Sequence, residues 1–439
     1  MIFVMDKNEA IDYIYQSYLK CEKYLRYGDK DALKRNPILT FNIIRSLSST
    51  PCAVITGSKG KGSVAVMTAA ILETKMKTGL MTSPHLTDFN ERFRINGEII
   101  KDDEFIRYVD SIRTVFDGIA SELGKSRYIS PIGIQTVLAL MFFNNNRTRF
   151  NVLECGKGAK YDDVNNVLHE YAVINSIFME HVRELGGTLQ EIAEDKAHVI
   201  TGDQKCVYSA WQEDCVMDII KERAKSLDTP LKIYGIDFKC DNIKFSRSGM
   251  HFDVVIGDET YDDIQVPLLG EHQAKNCALS MVLCRDVLGS IDIMAVRKKL
   301  SSIDWPGRME ILSSDPFILL DACINQASAK FVKSTVHRLD ISKYTLIVGI
   351  PDDKDFVGVI ETMQDHAKRI ILTKSGNAHY IFTERQRLVL ESMGIHTIWT
   401  SSISEALLMT SGIGLPTIIL GTTSVVSEVK AGLRQTRHF

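Results

Sequence analysis

The stretch at 52–63, CAVITGSKGKGS, decides how the rest of this 439-residue chain is read. CAVIT is an unbroken run of apolar and β-branched residues, the pattern of a short buried strand. Behind it, Gly57, Gly60 and Gly62 let the backbone bend and approach an anion closely. A helix expected from about 62 to 76 would aim its first amide N–H groups at the same point. Lys61 offers a cation to the β- and γ-phosphates of a nucleotide, and Ser63 a hydroxyl toward Mg²⁺. Ser58 and Lys59 complete the loop, Lys59 adding a second positive charge. A glycine turn holding no ligand is the plain alternative; the preceding strand and the Lys and Ser at this spacing argue against it. The spacing is tighter than GxxxxGK[ST], so an ordinary kinase or GTPase fits less well.

Working outward, DKNEAIDYIYQSYLKCEKYL opens with Asp6 three residues before Glu9, a capping-box pattern. It places Ala10, Ile11, Ile14, Tyr18 and Leu19 on one helical face. After the loop, TGLMTS, NVLECG and YAVINSI are short apolar runs separated by helical stretches. That alternation predicts a mostly parallel sheet with helices on both faces. From about 234 to 268 the texture changes to short alternating segments broken by SRSG and GDE, which read as hairpins. Beyond Pro306 come FILLDAC, YTLIVGI, RIILTKS, HTIWTSS and PTIILGT, five strand-like runs each followed by helix-compatible sequence. The expected architecture is α/β: a P-loop-containing domain over 1–300 with a small β-rich segment at 234–268, then a smaller Rossmann-like α/β domain over 305–439, hinged near SSIDWPGRME.

Composition narrows the classes. A net charge of −3 argues against general binding to nucleic acid or anionic membrane. No apolar run approaches the roughly 18–20 residues that span a bilayer, and the N-terminal residues lack the order of a signal peptide. Nine cysteines without a CxxC pair suit buried thiols in a reducing compartment. The expectation is a cytoplasmic monomer with small-molecule partners, no nucleic acid and no membrane.

The glycine loop followed by TSPHLTDFNERFRINGE (82–98) resembles the N-terminal signature of folylpolyglutamate synthases, within the Mur ligase superfamily. Further blocks follow in the family's order: LECGKGAKYDDVN (153–165), HVRELGGTLQEIAEDKA (181–197), GEHQAKNCAL (270–279), WPGRMEIL (305–312) and DDKD (352–355). The resemblance implies an ATP-dependent ligase that activates a carboxylate as an acyl phosphate, releases ADP and then phosphate, and forms an amide with an amino acid or related amine. It implies metal roles for Ser63, Ser83, Glu154 and His181, with Mg²⁺ as the ion, and catalytic roles for Lys61, His181 and Lys196. Lys196 matches a lysine that is carbamylated in relatives. It also implies that Asn276 reads adenine, Arg308 contacts phosphate and Asp321 accepts from ribose, with ATP lying between the two domains. Read without the family, Glu154 is a stronger metal candidate than His181, because a carboxylate ending an apolar strand is costly unless paired. His181 alone would be a polar loop histidine, Lys196 a surface lysine on a helix capped by Thr188 and Glu191, and the other three commonly structural.

The pattern breaks around substrate contacts. After Asp321 the family runs Gly-Ala-His-Asn-Pro, whereas this chain has Ala322-Cys323-Ile324-Asn325-Gln326. Ile324 removes a hydrogen-bond donor from a segment tied to the incoming amine, with Asn325 beside it. Ile134 and Gln135 replace Phe and Glu; Cys155, Lys160 and Glu180 also depart. Ile324, Asn325 and Gln135 are therefore candidate substrate residues. The expectation is a ligase with altered substrates. A genuine folylpolyglutamate or dihydrofolate synthase adding glutamate to folates is the alternative, and a catalytically silent nucleotide-binding regulator a second one.

Overall fold

A computed structural model describes residues 5–24, 30–125, 127–377, 380–412 and 414–436. CAVIT forms strand β1 (Cys52–Thr56), buried at every residue, as an unbroken apolar run requires of a strand covered on both sides. With β2 (Thr78–Met81), β3 (Phe93–Ile95), β4 (Glu98–Ile99), β5 (Phe150–Glu154), β6 (Tyr171–Ile174), β7 (Cys206–Ser209) and β8 (Leu231–Ile233) it builds one eight-stranded sheet. The order is β4-β3-β2-β5-β1-β6-β7-β8, antiparallel only at β2–β3 and β3–β4. The mostly parallel sheet expected from the alternation is present. β1 lies between β5 and β6, with Ile55 opposite Glu154 and Thr56 opposite Ile174. That register brings the ends of three strands, and the loops leaving them, to one edge of the sheet.

Two expectations at this level need correction. The helix after the glycine loop runs Lys61–Leu72 rather than to 76; residues 73–76 form a turn ending in a bend. The first helix, Lys7–Glu22, has the full Asp6–Glu9 capping box, with both reciprocal bonds present. Its buried residues are Ala10, Tyr13, Ile14 and Cys21, however, and Leu19 is 54% exposed. The face that docks on helices Asp102–Ser121 and Pro131–Asn145 is rotated toward Tyr13, whose hydroxyl bonds Asp117 at 3.0 Å.

The hairpin segment is a three-stranded meander, β9 (Phe238–Ser246), β10 (Gly249–Ile256) and β11 (Glu259–Val266), with β10 in the middle. Burial alternates along β10, placing Met250, Phe252, Val254 and Ile256 inside. A second sheet contains β12 (Glu310–Ser314), β13 (Phe317–Asp321), β14 (Tyr344–Gly349), β15 (Ala367–Leu372), β16 (Ile398–Trp399) and β17 (Thr417–Gly421). Its order is β12-β13-β17-β14-β15-β16, parallel except for β12. The five runs read from sequence are β13 to β17. β12 was not among them: EILSS is half polar and forms an antiparallel edge.

The chain divides into two compact units: Met1–Cys240 with Val254–Tyr261 and Lys275–Lys299, and Asp241–Asp253 with Asp262–Ala274 and Leu300–Phe439. All nine cysteines are free thiols. Among the described residues no helix is long and apolar enough to cross a membrane.

Candidate active site

The glycine loop is held by packing as much as by its own flexibility. Gly57 leaves β1 with φ +141° and Gly60 has φ +79°, conformations that side-chain-bearing residues rarely adopt. A Cβ on Gly57 would lie 2.9 Å from Asn175 Cβ, and one on Gly60 would lie 2.6 Å from Asn175 Nδ2 and 3.0 Å from Asn276 Nδ2 and Oδ1. Asn175 stands just past the end of β6 and donates through Nδ2 to Asn276 Oδ1 at 2.8 Å. The Ser58 N–H donates to Ser176 O at 2.9 Å, and the Ser58 hydroxyl to Phe178 O at 3.1 Å. The loop is thereby clamped to the β6 exit. Helix Lys61–Leu72 starts without a side-chain cap, and its first intrahelical bond runs from Val64 N–H to Gly60 O at 3.0 Å. The amides of Lys61, Gly62 and Ser63 stand ahead of that ladder, at the positive end of the helix dipole. That is a fitting cradle for a phosphate.

Two lysines converge here. Lys61 Nζ donates to Gly57 O at 3.0 Å and Lys196 Nζ to the same oxygen at 2.9 Å. Lys196 is fully buried and pairs with Glu180 Oε1 at 2.9 Å. The Thr188–Glu191 capping box read from sequence does open its helix, Leu189–Ala197, yet Lys196 lies on the inward side. Burial is the main influence lowering the Lys196 pKa; Glu180 opposes it, and the Lys61 charge adds to it.

Glu154, the last residue of β5, is 4% exposed and accepts from the Ser83 N–H at 2.9 Å. Ser63 is likewise buried. His181 sits on a turn with φ +46°, its side chain 47% exposed, and its nearest ionic partner is Glu184 at 4.0 Å. The structure thus joins Ser83 to Glu154 and makes no bond from His181 to either. Among the described residues no group of three or more His, Cys, Asp or Glu side chains forms a metal cage. A buried carboxylate and a hydroxyl suit Mg²⁺, a hard ion that keeps water and phosphate oxygens in most of its positions.

Of the remaining candidates, Asn276 is buried against the loop, as its contact with Gly60 shows. Asp321 ends β13, 4% exposed, and its Oδ2 accepts from the Met309 N–H at 2.9 Å. Arg308, one residue earlier than Met309, donates from Nη1 to Gly307 O at 3.1 Å. The WPGR turn is therefore tied to the end of β13, and Asp321 and Arg308 are neighbours. Asn325 caps helix Gln326–Arg338, its Oδ1 accepting from the Ser328 N–H at 2.9 Å, and Ile324 is half-buried beside it. Gln135 is buried, its Oε1 accepting from Arg92 Nη1 at 2.8 Å, while Arg92 Nε donates to His85 Nδ1 at 2.9 Å. Both residues line a cavity of about 590 Å³ that also reaches Ser83 and Gly156 and is walled by Tyr15, Tyr18 and Tyr128.

Residues 55–284 match the family model of the Mur ligase middle domain. The chain belongs to the Mur ligase family. Among curated relatives, a probable bifunctional folylpolyglutamate synthase/dihydropteroate synthase of Halobacterium salinarum is 30% identical over 335 residues, 75% of this chain and 40% of that protein. This Mur ligase therefore spans well under half of that relative's length. A dihydrofolate synthase/folylpolyglutamate synthase of Bacillus subtilis is 27% identical over 355 residues, 79% of this chain and 81% of the relative. The solved folylpolyglutamate synthase of Mycobacterium tuberculosis, complexed with ADP and AMPPCP, matches with a TM-score of 0.83 at 24% identity, covering 98% of each chain. The two-sheet α/β fold of this Mur ligase is thus shared with that solved enzyme.

Sequence reading missed Asn175 and Arg92. Asn175 carried a faint signal, a polar residue directly after the apolar run YAVI. Arg92 lies inside the signature block at 82–98, but its pairing with His85 and Gln135 is fixed by the tertiary fold.

Proposed function

We propose that this Mur ligase is an ATP-dependent acid–amino-acid ligase of the folylpolyglutamate/dihydrofolate synthase kind, joining glutamate to the carboxylate of a folate-type acid. The observation that carries the reading is the match across 79% of this chain and 81% of the Bacillus subtilis enzyme. The departures at Ile324 and Gln135 pointed to other substrates; the relatives carry folate names, and the folate reading is preferred.

The reaction needs charge neutralisation and alignment. An oxygen of the substrate carboxylate attacks the γ-phosphorus of ATP; the bond to the β-bridging oxygen breaks, leaving ADP and an acyl phosphate. The amine nitrogen of glutamate then attacks the acyl carbon, phosphate leaves, and the nitrogen loses a proton to give the amide. Gly57 to Ser63 would hold the triphosphate end through the amides at the helix start, and Lys61 would swing from Gly57 O onto the transferring phosphoryl group. Mg²⁺, held by Ser63 and Glu154 with Ser83 alongside, would screen the phosphate oxygens from the incoming carboxylate. Asn276 would face the adenine, with Arg308 and Asp321 at phosphate and ribose. His181 would be a further metal ligand, as the resemblance implies.

Lys196 has two available states. As an ammonium it neutralises Glu180. As the free amine, favoured by its lowered pKa, it could add CO₂, lose a proton and become a carbamate. The carbamate would place an anion beside Glu180, so the modification requires Glu180 to turn away. Retention or loss of one CO₂ mass on Lys196 between neutral and acidified protein separates the two.

The test supplies ATP, Mg²⁺, labelled glutamate and either dihydropteroate or tetrahydrofolate, and measures ADP, phosphate and labelled product. ADP formation that depends on both acid and amine is expected. AMP and pyrophosphate, or no turnover at saturating substrates, would reject the reading.

A further inference from the structure

The cavity beside Ser83 contains a carboxylate whose environment neither phosphate binding nor metal binding explains. Asp31, at the start of helix Asp31–Lys34, is 1% exposed and lines the cavity. Both of its oxygens are buried without a hydrogen bond. Three cations surround it at ion-pair distance: Lys157 Nζ at 3.1 Å, Arg35 Nη1 at 3.7 Å and Lys34 Nζ at 3.9 Å. Those cations approach it without giving either oxygen a well-directed hydrogen bond. A buried carboxylate with open lone pairs is costly and calls for N–H donors.

Of the neighbouring acids, Asp162 has both oxygens bonded, while Asp163 has one bonded and one open and does not line the cavity. Asp162 Oδ2 accepts from the amides of Gly156 and Lys157 at 3.0 and 3.1 Å, and its Oδ1 from that of Val164 at 3.0 Å. Asp163 Oδ1 accepts from the Thr40 hydroxyl at 2.6 Å. Among the carboxylates lining the cavity, Glu22 is exposed and Glu184 is 25% exposed. Asp31 is therefore the deeply buried acceptor that a ligand in this cavity would meet.

We propose that Asp31 is a specificity residue for the acid substrate, accepting the paired N–H groups of a planar 2-amino-4-oxopyrimidine edge. Two oxygens of one carboxylate match two parallel N–H donors, as in any bidentate carboxylate pair. Tyr15, Tyr18 and Tyr128 supply flat apolar walls for such a ring. Lys157, whose backbone also accepts from Arg35, stands ready for the ring carbonyl. The proposal rests on the folate reading above and assigns it a residue outside every motif block in the sequence.

The experiment compares tetrahydrofolate with its analogue lacking the 2-amino group, using wild type and Asp31→Asn. In wild type the analogue should raise KM for the acid roughly tenfold or more, with kcat within about threefold and KM for ATP unchanged. Asp31→Asn should raise KM for tetrahydrofolate by a similar factor and level the two substrates. Equal KM values for both acids in wild type would overturn the proposal while leaving the ligase reading intact, and that comparison does not depend on the variant folding. Turnover with neither acid would remove the folate reading and this assignment together.

Discussion

Replacing Gly60 with alanine tests whether the loop's shape is imposed by its neighbours. Gly60 has φ +79°, and an alanine Cβ would sit 2.6 Å from Asn175 Nδ2 and 3.0 Å from two atoms of Asn276. The left-handed backbone costs a non-glycine residue about 1–2 kcal/mol. Forcing a methyl into filled space costs about 1–3 kcal/mol more. The sum is about 2–5 kcal/mol. At roughly 2–4 °C per kcal/mol for a domain of this size, the melting temperature should fall on the order of 10 °C. Gly97 is the control, because its φ is +81° and nothing lies within 4 Å of its would-be Cβ. Gly97→Ala should show the backbone cost alone, about 1–2 kcal/mol. Thermal unfolding of both variants, with KM for ATP, separates strain from clash. Gly60→Ala should also raise KM for ATP roughly tenfold, since the amides at the helix start move with the loop. Equal melting temperatures for the two variants, with KM for ATP unchanged, would refute the account of the loop.

Three further outcomes are expected. Lys61→Ala should cut turnover roughly 10²–10³-fold and weaken ATP binding, as loss of one preorganised charge at a developing anion does; unchanged steady-state rates would take Lys61 out of the phosphate site. Glu154→Gln should keep the bond from the Ser83 N–H and the fold, yet raise the Mg²⁺ concentration for half-maximal rate at least about tenfold; an unaltered Mg²⁺ titration would count against a metal role. Asp163 is buried, and that burial pushes its pKa up to about 6 from 3.8 despite the Thr40 bond. Between about pH 4 and 6 the unfolded chain releases this proton while the folded one keeps it, so stability falls as pH rises and levels off above 6. The difference of about two units corresponds to about 3 kcal/mol. Asp163→Asn should therefore match wild type near pH 4 and exceed it by up to that amount above pH 6 in urea unfolding. Parallel curves would show that Asp163 does not titrate in this window.

The local elements were largely legible because each rests on a few adjacent residues. CAVIT is apolar throughout and forms a strand buried on both sides; the Asp6–Glu9 and Thr188–Glu191 pairs are spaced to close capping boxes, and both do. Edges were less legible. β12 is half polar, and the first helix turns Leu19 outward because docking, not periodicity alone, chose its inner face.

The chain's linear order determined that a phosphate-type loop follows a buried strand, that strands and helices alternate, and that Glu154 ends an apolar strand; that this strand lies beside the loop's own strand was decided by the sheet order. Tertiary structure alone decided that Lys196 reaches the oxygen Lys61 also holds, 139 residues from Gly57 in sequence, and that Asn276 meets Asn175 across 101 residues. It alone left Asp31 buried among three cations with its oxygens open. The reason is physical. Helices and strands follow from spacings of a few residues, whereas the partners of a buried charge are set by the packing of distant segments, which no local pattern records.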